Sequence, residues 1–170
     1  MKLLALLTLL SAAITLPVAA GEFKVAGMTF NAPKEFVSVK PSSFMRKAQF
    51  QVGVDAGQGE IVFFHFGGGG AGGVEANVNR WFGQFVEPKD KINAKTEKAK
   101  AGETTVTFVT ANGTFKSGPP RGPIVEKPGY ALLGAIIEAK TGSIFAKFTA
   151  PKATVEANTE AFKKMITGAK

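Results

Sequence analysis

The segment from Ala131 to Ile137 constrains the fold of this chain more than any other. It reads ALLGAII, so both sets of alternating positions are apolar or small. Successive side chains of a β-strand point to opposite faces, and a strand that is apolar on both faces is therefore covered on both sides. Such strands are common where helices pack against each face of a sheet. The segment predicts a layered fold that contains both strands and helices.

Two stretches have the apolar spacing of helices. In residues 74–85, apolar side chains recur at i, i+4, i+7, i+8 and i+11, which is one stripe of a helix. Trp81 lies in the middle of this stripe, so we predict that its ring is buried against the sheet. Residues 151–170 have a weaker stripe that includes Phe162. The strand-like segments are joined mostly by short turns, which favours antiparallel pairing. We therefore predict an α+β fold, with a single twisted, mainly antiparallel sheet and a helix on each face.

Residues 1–20 have the pattern of a cleavable secretory signal peptide. Lys2 precedes a short apolar core, and small residues stand before the expected cleavage after Ala20. A retained membrane anchor is the competing interpretation. However, the apolar core is short against the roughly 20 residues that span a bilayer, and no basic stop-transfer cluster follows it. We expect residues 21–170 to form one globular domain that is exported to the periplasm or the extracellular space.

The composition limits the chemistry and the partners. The chain has no cysteine, which excludes disulfides, thiolate metal ligands and a cysteine nucleophile. Its net charge is +8, and +7 without the signal peptide, so an anionic envelope polymer or lipid surface is a possible partner. The lysines are scattered and often stand beside acids, whereas nucleic-acid binders usually carry a denser basic stripe with exposed aromatics. We do not expect a nucleic-acid partner.

Residues 67–73 are all glycine or alanine and lie between a predicted strand and a predicted helix. Gly67, Gly69 and Gly72 satisfy the G-x-G-x-x-G spacing of dinucleotide-binding loops. A run this rich in glycine matches the pattern almost by default, and no parallel βαβ unit follows it. Glu75, in the first turn of the helix, would also compete with a bound anion. We predict a flexible connection and no nucleotide cofactor.

A second long loop, residues 117–129, is rich in glycine and proline. Long loops in compact domains are often functional or disordered, and loops 67–73 and 117–129 would border a binding groove if they opened at the same end of the sheet. Four polar residues near these loops are candidates for binding a partner, although those on the helix also fit a simple solvated face. They are Asn79, Arg80, Gln84 and Arg121.

His65 is the only histidine and shares its strand face with Ile61 and Phe63. A histidine in such surroundings is typically a structural residue with a hydrogen bond. A hydrolase would depend on His65, but no G-x-S-x-G elbow accompanies it. No metal-binding motif is present either, so we predict no catalytic residue, metal ligand or cofactor. The favoured interpretation is a non-catalytic binding or accessory protein for an unknown envelope or secreted partner or ligand. Binding to an anionic envelope polymer or lipid surface and a His65-dependent hydrolase are the alternatives.

The opening stretch FKVAGMTFNAPKEF resembles that of PsbP-like domains, the photosystem oxygen-evolving-enhancer fold. These domains also end in a strand hairpin and a C-terminal helix, as residues 131–170 would. The stretches MRKAQF, VEANVNRWFGQF, PGYALLGAIIE and FTAPKATVEA resemble a set of exported bacterial proteins with no assigned activity. The resemblance implies a PsbP-like α/β/α sandwich. It transfers no catalytic residues, because PsbP-like proteins share none and a fold does not determine a function.

Overall fold

The computed structural model describes residues 21–118 and 122–170. The predicted signal peptide, residues 1–20, and the candidate Arg121 lie outside the described residues. No helix of the described part is long and apolar enough to cross a membrane. Besides a 3₁₀ turn at Asp55–Gly57, the elements are β1 (Glu22–Val25), β2 (Met28–Asn31), β3 (Val37–Val39), β4 (Arg46–Val52), β5 (Gly59–His65), α1 (Val74–Phe82), β6 (Lys95–Ala101), β7 (Thr104–Ser117), β8 (Val125–Ile137), β9 (Ile144–Pro151) and α2 (Lys152–Thr167).

Seven strands form one sheet in the order β3-β4-β5-β9-β8-β7-β6, and every neighbouring pair is antiparallel. The first two strands form a separate antiparallel hairpin. It turns at Ala26 and Gly27, whose φ angles are 51° and 83°. The predicted α+β class with a mainly antiparallel sheet is confirmed.

The buried side chains form two apolar clusters, and β8 contributes to both in alternation. Leu133 and Ile137 belong to the cluster that contains Phe162 of α2. Leu132 and Ile136 belong to the cluster that contains Trp81 of α1. All residues from Ala131 to Ile137 are buried, so the prediction that this strand is covered on both sides is confirmed.

The predicted loop 117–129 needs correction, because both of its ends belong to strands. The structure pairs Ser117 with Val125, so the predicted loop 117–129 is shorter and connects two neighbouring strands. The start of β8 was predicted as loop because Pro128 and Gly129 are typical of turns. Both residues lie at an irregularity in the pairing, where Gly129 has a φ of 70°. A bulge tolerates a proline that cannot donate to the ladder.

The first helix ends at Phe82, earlier than the predicted Phe85, because the chain turns at Gly83. Phe85 is still buried, but it reaches the apolar cluster through an isolated antiparallel bridge to Phe115 of β7. The early end of the helix places Gln84 in a turn beside the sheet.

The strand register separates the two loops considered from the sequence. Residues 67–73 follow β5, which ends at His65 opposite Ile144. The β7–β8 connection follows Ser117, at the other end of the long hairpin. The two loops therefore lie at opposite ends of the sheet and do not border one groove together.

Candidate functional site

A groove of about 760 Å³ crosses the sheet face that carries the Trp81 cluster; we call it the sheet groove. Its floor is a row of alternate side chains from three neighbouring strands. Gln49 of β4 pairs with Val62 of β5, and Val62 pairs with Lys147 of β9. The β3–β4 connection and the outer part of the β7–β8 hairpin also line the groove. A groove of this size is within the range of small-molecule sites.

Lys147 is the central charged residue of this floor. Its Nζ donates a hydrogen bond to Oε1 of Gln84 at 2.6 Å and lies 4.9 Å from the ring centroid of Phe115. Neither partner carries a negative charge. Within residues 21–118 and 122–170, Lys147 forms no salt bridge. The ammonium group is therefore positioned by direct contacts with neutral groups.

The surroundings of Lys147 disfavour its protonated form. Burial lowers the pKa of Lys147 from 10.5 to about 8. Glu60 acts in the opposite direction, and the positive charges of Arg46 and Arg80 lower the pKa further. A pKa near 8 still leaves most of the lysine charged at neutral pH, so the groove carries a cation that a bound anion would stabilise.

Backbone hydrogen bonds in the turn after α1 fix the position of Gln84, whose side chain accepts the hydrogen bond from Lys147. The backbone carbonyl of Gln84 accepts a hydrogen bond from the N–H of Lys116 at 2.7 Å, and its own N–H donates to the carbonyl of Trp81 at 3.1 Å. Both bonds depend on the helix ending at Phe82 and on β7 extending beyond Phe115. Gln84 is therefore held in place by backbone contacts on both sides.

Glu60 is the only acidic residue that lines the sheet groove within the described residues. Its carboxylate accepts hydrogen bonds from a guanidinium nitrogen of Arg46 at 2.7 Å and from Nε2 of Gln49 at 3.1 Å. The carboxylate is thus held by two donors from β4, and it favours the protonated form of Lys147 without forming a direct ion pair with it.

Asn77 connects α1 to the glycine-rich segment. Its side chain is fully buried, and Nδ2 donates hydrogen bonds to the carbonyls of Ala71 and Gly73, each at 2.8 Å. Its Oδ1 accepts a hydrogen bond from the guanidinium of Arg80. Asn77 therefore anchors the end of the loop that was predicted to be flexible. It also orients Arg80 through a hydrogen bond to a neutral amide oxygen.

A second cavity of about 200 Å³ adjoins the sheet groove; we call it the aromatic pocket. Four aromatic residues line it, together with Arg80, Gln84 and Lys147; they are Phe64, Phe66, Trp81 and Phe145. Trp81 is only 5% exposed, which confirms the prediction that it is buried. Its ring packs on Gly134, where an added Cβ would overlap the indole.

No protein-family model matches the chain, and no curated protein matches it significantly. The structure is similar to the solution structure of cyanobacterial PsbP (CyanoP) from Synechocystis sp. PCC 6803, with a TM-score of 0.53 and 9% sequence identity. That match covers 95% of this chain and 98% of the other. The fold is PsbP-like. A crystal structure from Bacteroides thetaiotaomicron VPI-5482 has a TM-score of 0.46 and 14% identity; the match covers 90% of this chain and 48% of that one.

Two of the four predicted partner-binding residues lie at the cavities of this PsbP-like fold. Gln84 lines both cavities, and Arg80 lines the aromatic pocket. Asn79 is exposed on α1 and lines neither cavity. Lys147 was not among the predicted site residues, although a single lysine inside the buried strand FAKFTA was a usable signal.

His65 lies at the end of β5 and lines neither cavity of the PsbP-like fold. Its Nε2 is 3.1 Å from the backbone carbonyl of Thr141. Within the part of the chain that the structure describes, no group of three or more histidine, cysteine or acidic residues is placed to hold a metal ion. The geometry around His65 fits a hydrogen-bonded structural residue.

Proposed function

We propose that this chain is an exported, non-catalytic binding protein that holds an anionic ligand in the sheet groove. The observation that carries the proposal is Lys147, a largely desolvated cation on the groove floor whose contacts are neutral. Charged groups that are removed from water are normally paired, because desolvation costs several kcal/mol per ion. A bound anion would supply the missing partner.

The remaining charges of the groove favour the same ligand. Lys116 and Lys127 line the groove in addition to Lys147, while Glu60 is engaged by Arg46. A cleft with an excess of one sign of charge and low-dielectric walls concentrates ligands of the opposite sign. Glutamine amides at the floor and rim add neutral hydrogen-bonding groups; they are Gln49, Gln51, Gln58 and Gln84.

Other lysines give less support to binding of an extended anionic polymer or lipid surface. Lys98 on the edge strand β6 lies 3.7 Å from a carboxylate oxygen of Glu138. Lys163 of α2 lies 2.7 Å from a carboxylate oxygen of Glu97. These two lysines have acidic partners, whereas Lys147 has none within hydrogen-bond distance among the described residues, which favours a discrete ligand in the groove. The contacts of His65 likewise give no support to a hydrolase.

We also infer that α1 and α2 cover opposite faces of the sheet. The support comes from β8, where Leu132 clusters with α1 and the adjacent Leu133 clusters with α2. Because adjacent strand residues point to opposite faces, the two helices would flank the sheet in an α/β/α sandwich. Since α1 has only nine residues, it would leave the neighbouring part of its face open as the groove.

The proposal can be tested by following amide NMR signals during titration with succinate and with inorganic phosphate. We expect the shifts to concentrate on β4, β5, β9 and the turn at Gln84. Lys147→Met should weaken binding at least about tenfold, because it removes a charge-assisted contact while keeping an apolar side chain. Lys100→Met, which removes an exposed lysine from β6, is the matched control and should bind normally.

Two results would refute the proposed function. One is an absence of saturable shifts with either anion. The other is an equal loss of affinity in the Lys147 and Lys100 variants, which would indicate general attraction to a basic surface. Such attraction would also fall steeply with added salt, since exposed charges are strongly screened.

A further inference from the structure

We infer that the anionic ligand carries a small apolar group, an aromatic ring or a short alkyl chain, which occupies the aromatic pocket while its carboxylate contacts Lys147. This inference rests on the proposed function and specifies the ligand class of the same site. It assigns aryl and short-alkyl carboxylates to a combined site made of the pocket and the adjoining part of the sheet groove.

The walls of the aromatic pocket are already ordered by contacts between rings. Phe66 stacks on Phe64 with a centroid distance of 6.2 Å and lies 6.1 Å from Phe145. Trp81 meets Phe145 edge-on at 6.4 Å. Aromatic pairs at these distances favour each other beyond simple area burial. An apolar group would therefore enter a pocket whose walls need little rearrangement.

Phe66 leaves an apolar surface open at this pocket. Its side chain is 43% exposed even though it contacts two other rings. Burying apolar surface stabilises a complex in proportion to the area removed from water. A ligand group in the pocket would cover part of this ring, whereas a small hydrophilic anion would leave it exposed.

The volume limits the size of the apolar group. The pocket holds about 200 Å³. An apolar cavity of about 150 Å³ is large enough for benzene. One aromatic ring or a short alkyl chain therefore fits, and a fused polycyclic or long-chain group would extend beyond the pocket.

The residues shared by the two cavities indicate where the anionic group of the ligand would lie. Phe64, Gln84 and Lys147 line both the sheet groove and the aromatic pocket. A ligand seated against Phe64 would thus occupy a cavity that Lys147 also lines. Arg80 lies at the same pocket, and its contact to Asn77 is with a neutral amide oxygen. Both cations are available to a carboxylate that enters with the apolar group.

The chain contains one tryptophan, Trp81, and it lines the pocket, so its emission reports on occupancy directly. The experiment titrates the wild-type chain with phenylacetate, acetate and the neutral phenylacetamide. We expect phenylacetate to bind at least about tenfold more tightly than acetate, because its ring is buried in the pocket. It should also bind more tightly than phenylacetamide, which lacks the charge.

Two variants separate the contributions of the pocket and the cation. Phe66→Ala should weaken phenylacetate several-fold and leave succinate binding, measured by NMR, unchanged. Phe44→Ala is the matched control, since Phe44 is 89% exposed and lines neither cavity. Lys147→Met should weaken phenylacetate and succinate alike. If Phe66→Ala does not fold, Phe66→Leu tests the same contact with a smaller change.

The outcomes distinguish this inference from the proposed function. If acetate and phenylacetate bind equally and Lys147→Met weakens both, the anion site stands and the apolar subsite is refuted. If phenylacetate and phenylacetamide bind equally, the inference that a carboxylate contacts Lys147 while its ring occupies the pocket is refuted. If none of the anions binds, the proposed function fails together with the inference.

Discussion

Lys147 links the stability of the fold to pH, in a direction that follows from its burial. Its pKa is about 8 in the folded chain, against the ordinary lysine value of 10.5. Well below pH 8 the folded and unfolded chains both carry the proton, and the folded chain bears the cost of burying that charge. Between about pH 8 and 10.5 the unfolded state binds more protons than the folded state, so the free energy of unfolding should rise with pH.

The size of the effect follows from the two pKa values. One pKa unit corresponds to about 1.4 kcal/mol of difference between the protonation states. Integrated from about pH 7 to about pH 10, the contribution of Lys147 to the free energy of unfolding should increase by roughly 2.5 kcal/mol. This is a large fraction of the total stability of a small domain, which is roughly 5–15 kcal/mol.

Urea unfolding followed by Trp81 emission measures the effect, with Lys147→Met as the variant that cannot titrate at this position. As the pH rises, the unfolding free energy of wild type should increase relative to that of Lys147→Met. Lys100→Met, which removes an exposed lysine outside the groove, serves as control, and the change seen for Lys147→Met should exceed it. If wild type and Lys147→Met differ in unfolding free energy by the same amount at both ends of the pH range, the claim that burial lowers the pKa of Lys147 is refuted.

Three further predictions concern packing and hydrogen bonds. Gly134→Ala should destabilise the fold by about 1–3 kcal/mol, because its Cβ would overlap the ring of Trp81; urea unfolding with unchanged stability and emission would contradict this. Asn77→Ala should cost about 1–3 kcal/mol and speed amide exchange in residues 71–73, as it removes the bonds to their carbonyls. Unaltered exchange there would show that the loop is held otherwise. The carboxylate of Glu87 accepts the N–H of Thr114, which lowers the pKa of Glu87. The stability advantage of wild type over Glu87→Gln should therefore disappear as acid titration protonates that carboxylate, and a pH-independent difference would argue against it.

Much of the fold was predictable because local patterns of apolar residues indicate which side chains are buried. The two apolar sets of residues 131–137 indicated a strand covered on both sides, and the stripe around Trp81 indicated the packed face of a helix. Short turns indicated antiparallel pairing. Each of these features depends on residues close together in the chain.

The groove was less predictable because its parts come from distant segments. Lys147, Gln84 and Phe115 meet only because α1 ends at Phe82 and β7 extends to Ser117. The glycine-rich segment drew attention through its composition, yet it lies at the end of β5 and away from the floor of the sheet groove. The single lysine in FAKFTA was the local sign of the site, but the sequence did not show which face of the strand was open.

One row of the sheet accounts for both the ring and the charge of the proposed site. Gly134 of β8 pairs with Lys147 of β9, which pairs with Val62 of β5. Because Gly134 has no side chain, the indole of Trp81 lies directly on the sheet next to the lysine. Burial of Lys147 in this row desolvates the ammonium group, which lowers the stability of the chain without a ligand. It also strengthens any interaction with an anion, since Coulomb attraction increases as the local dielectric falls. An anion at Lys147 would thus offset the cost that burial imposes, and the adjacent rings would select the anions that carry an apolar group.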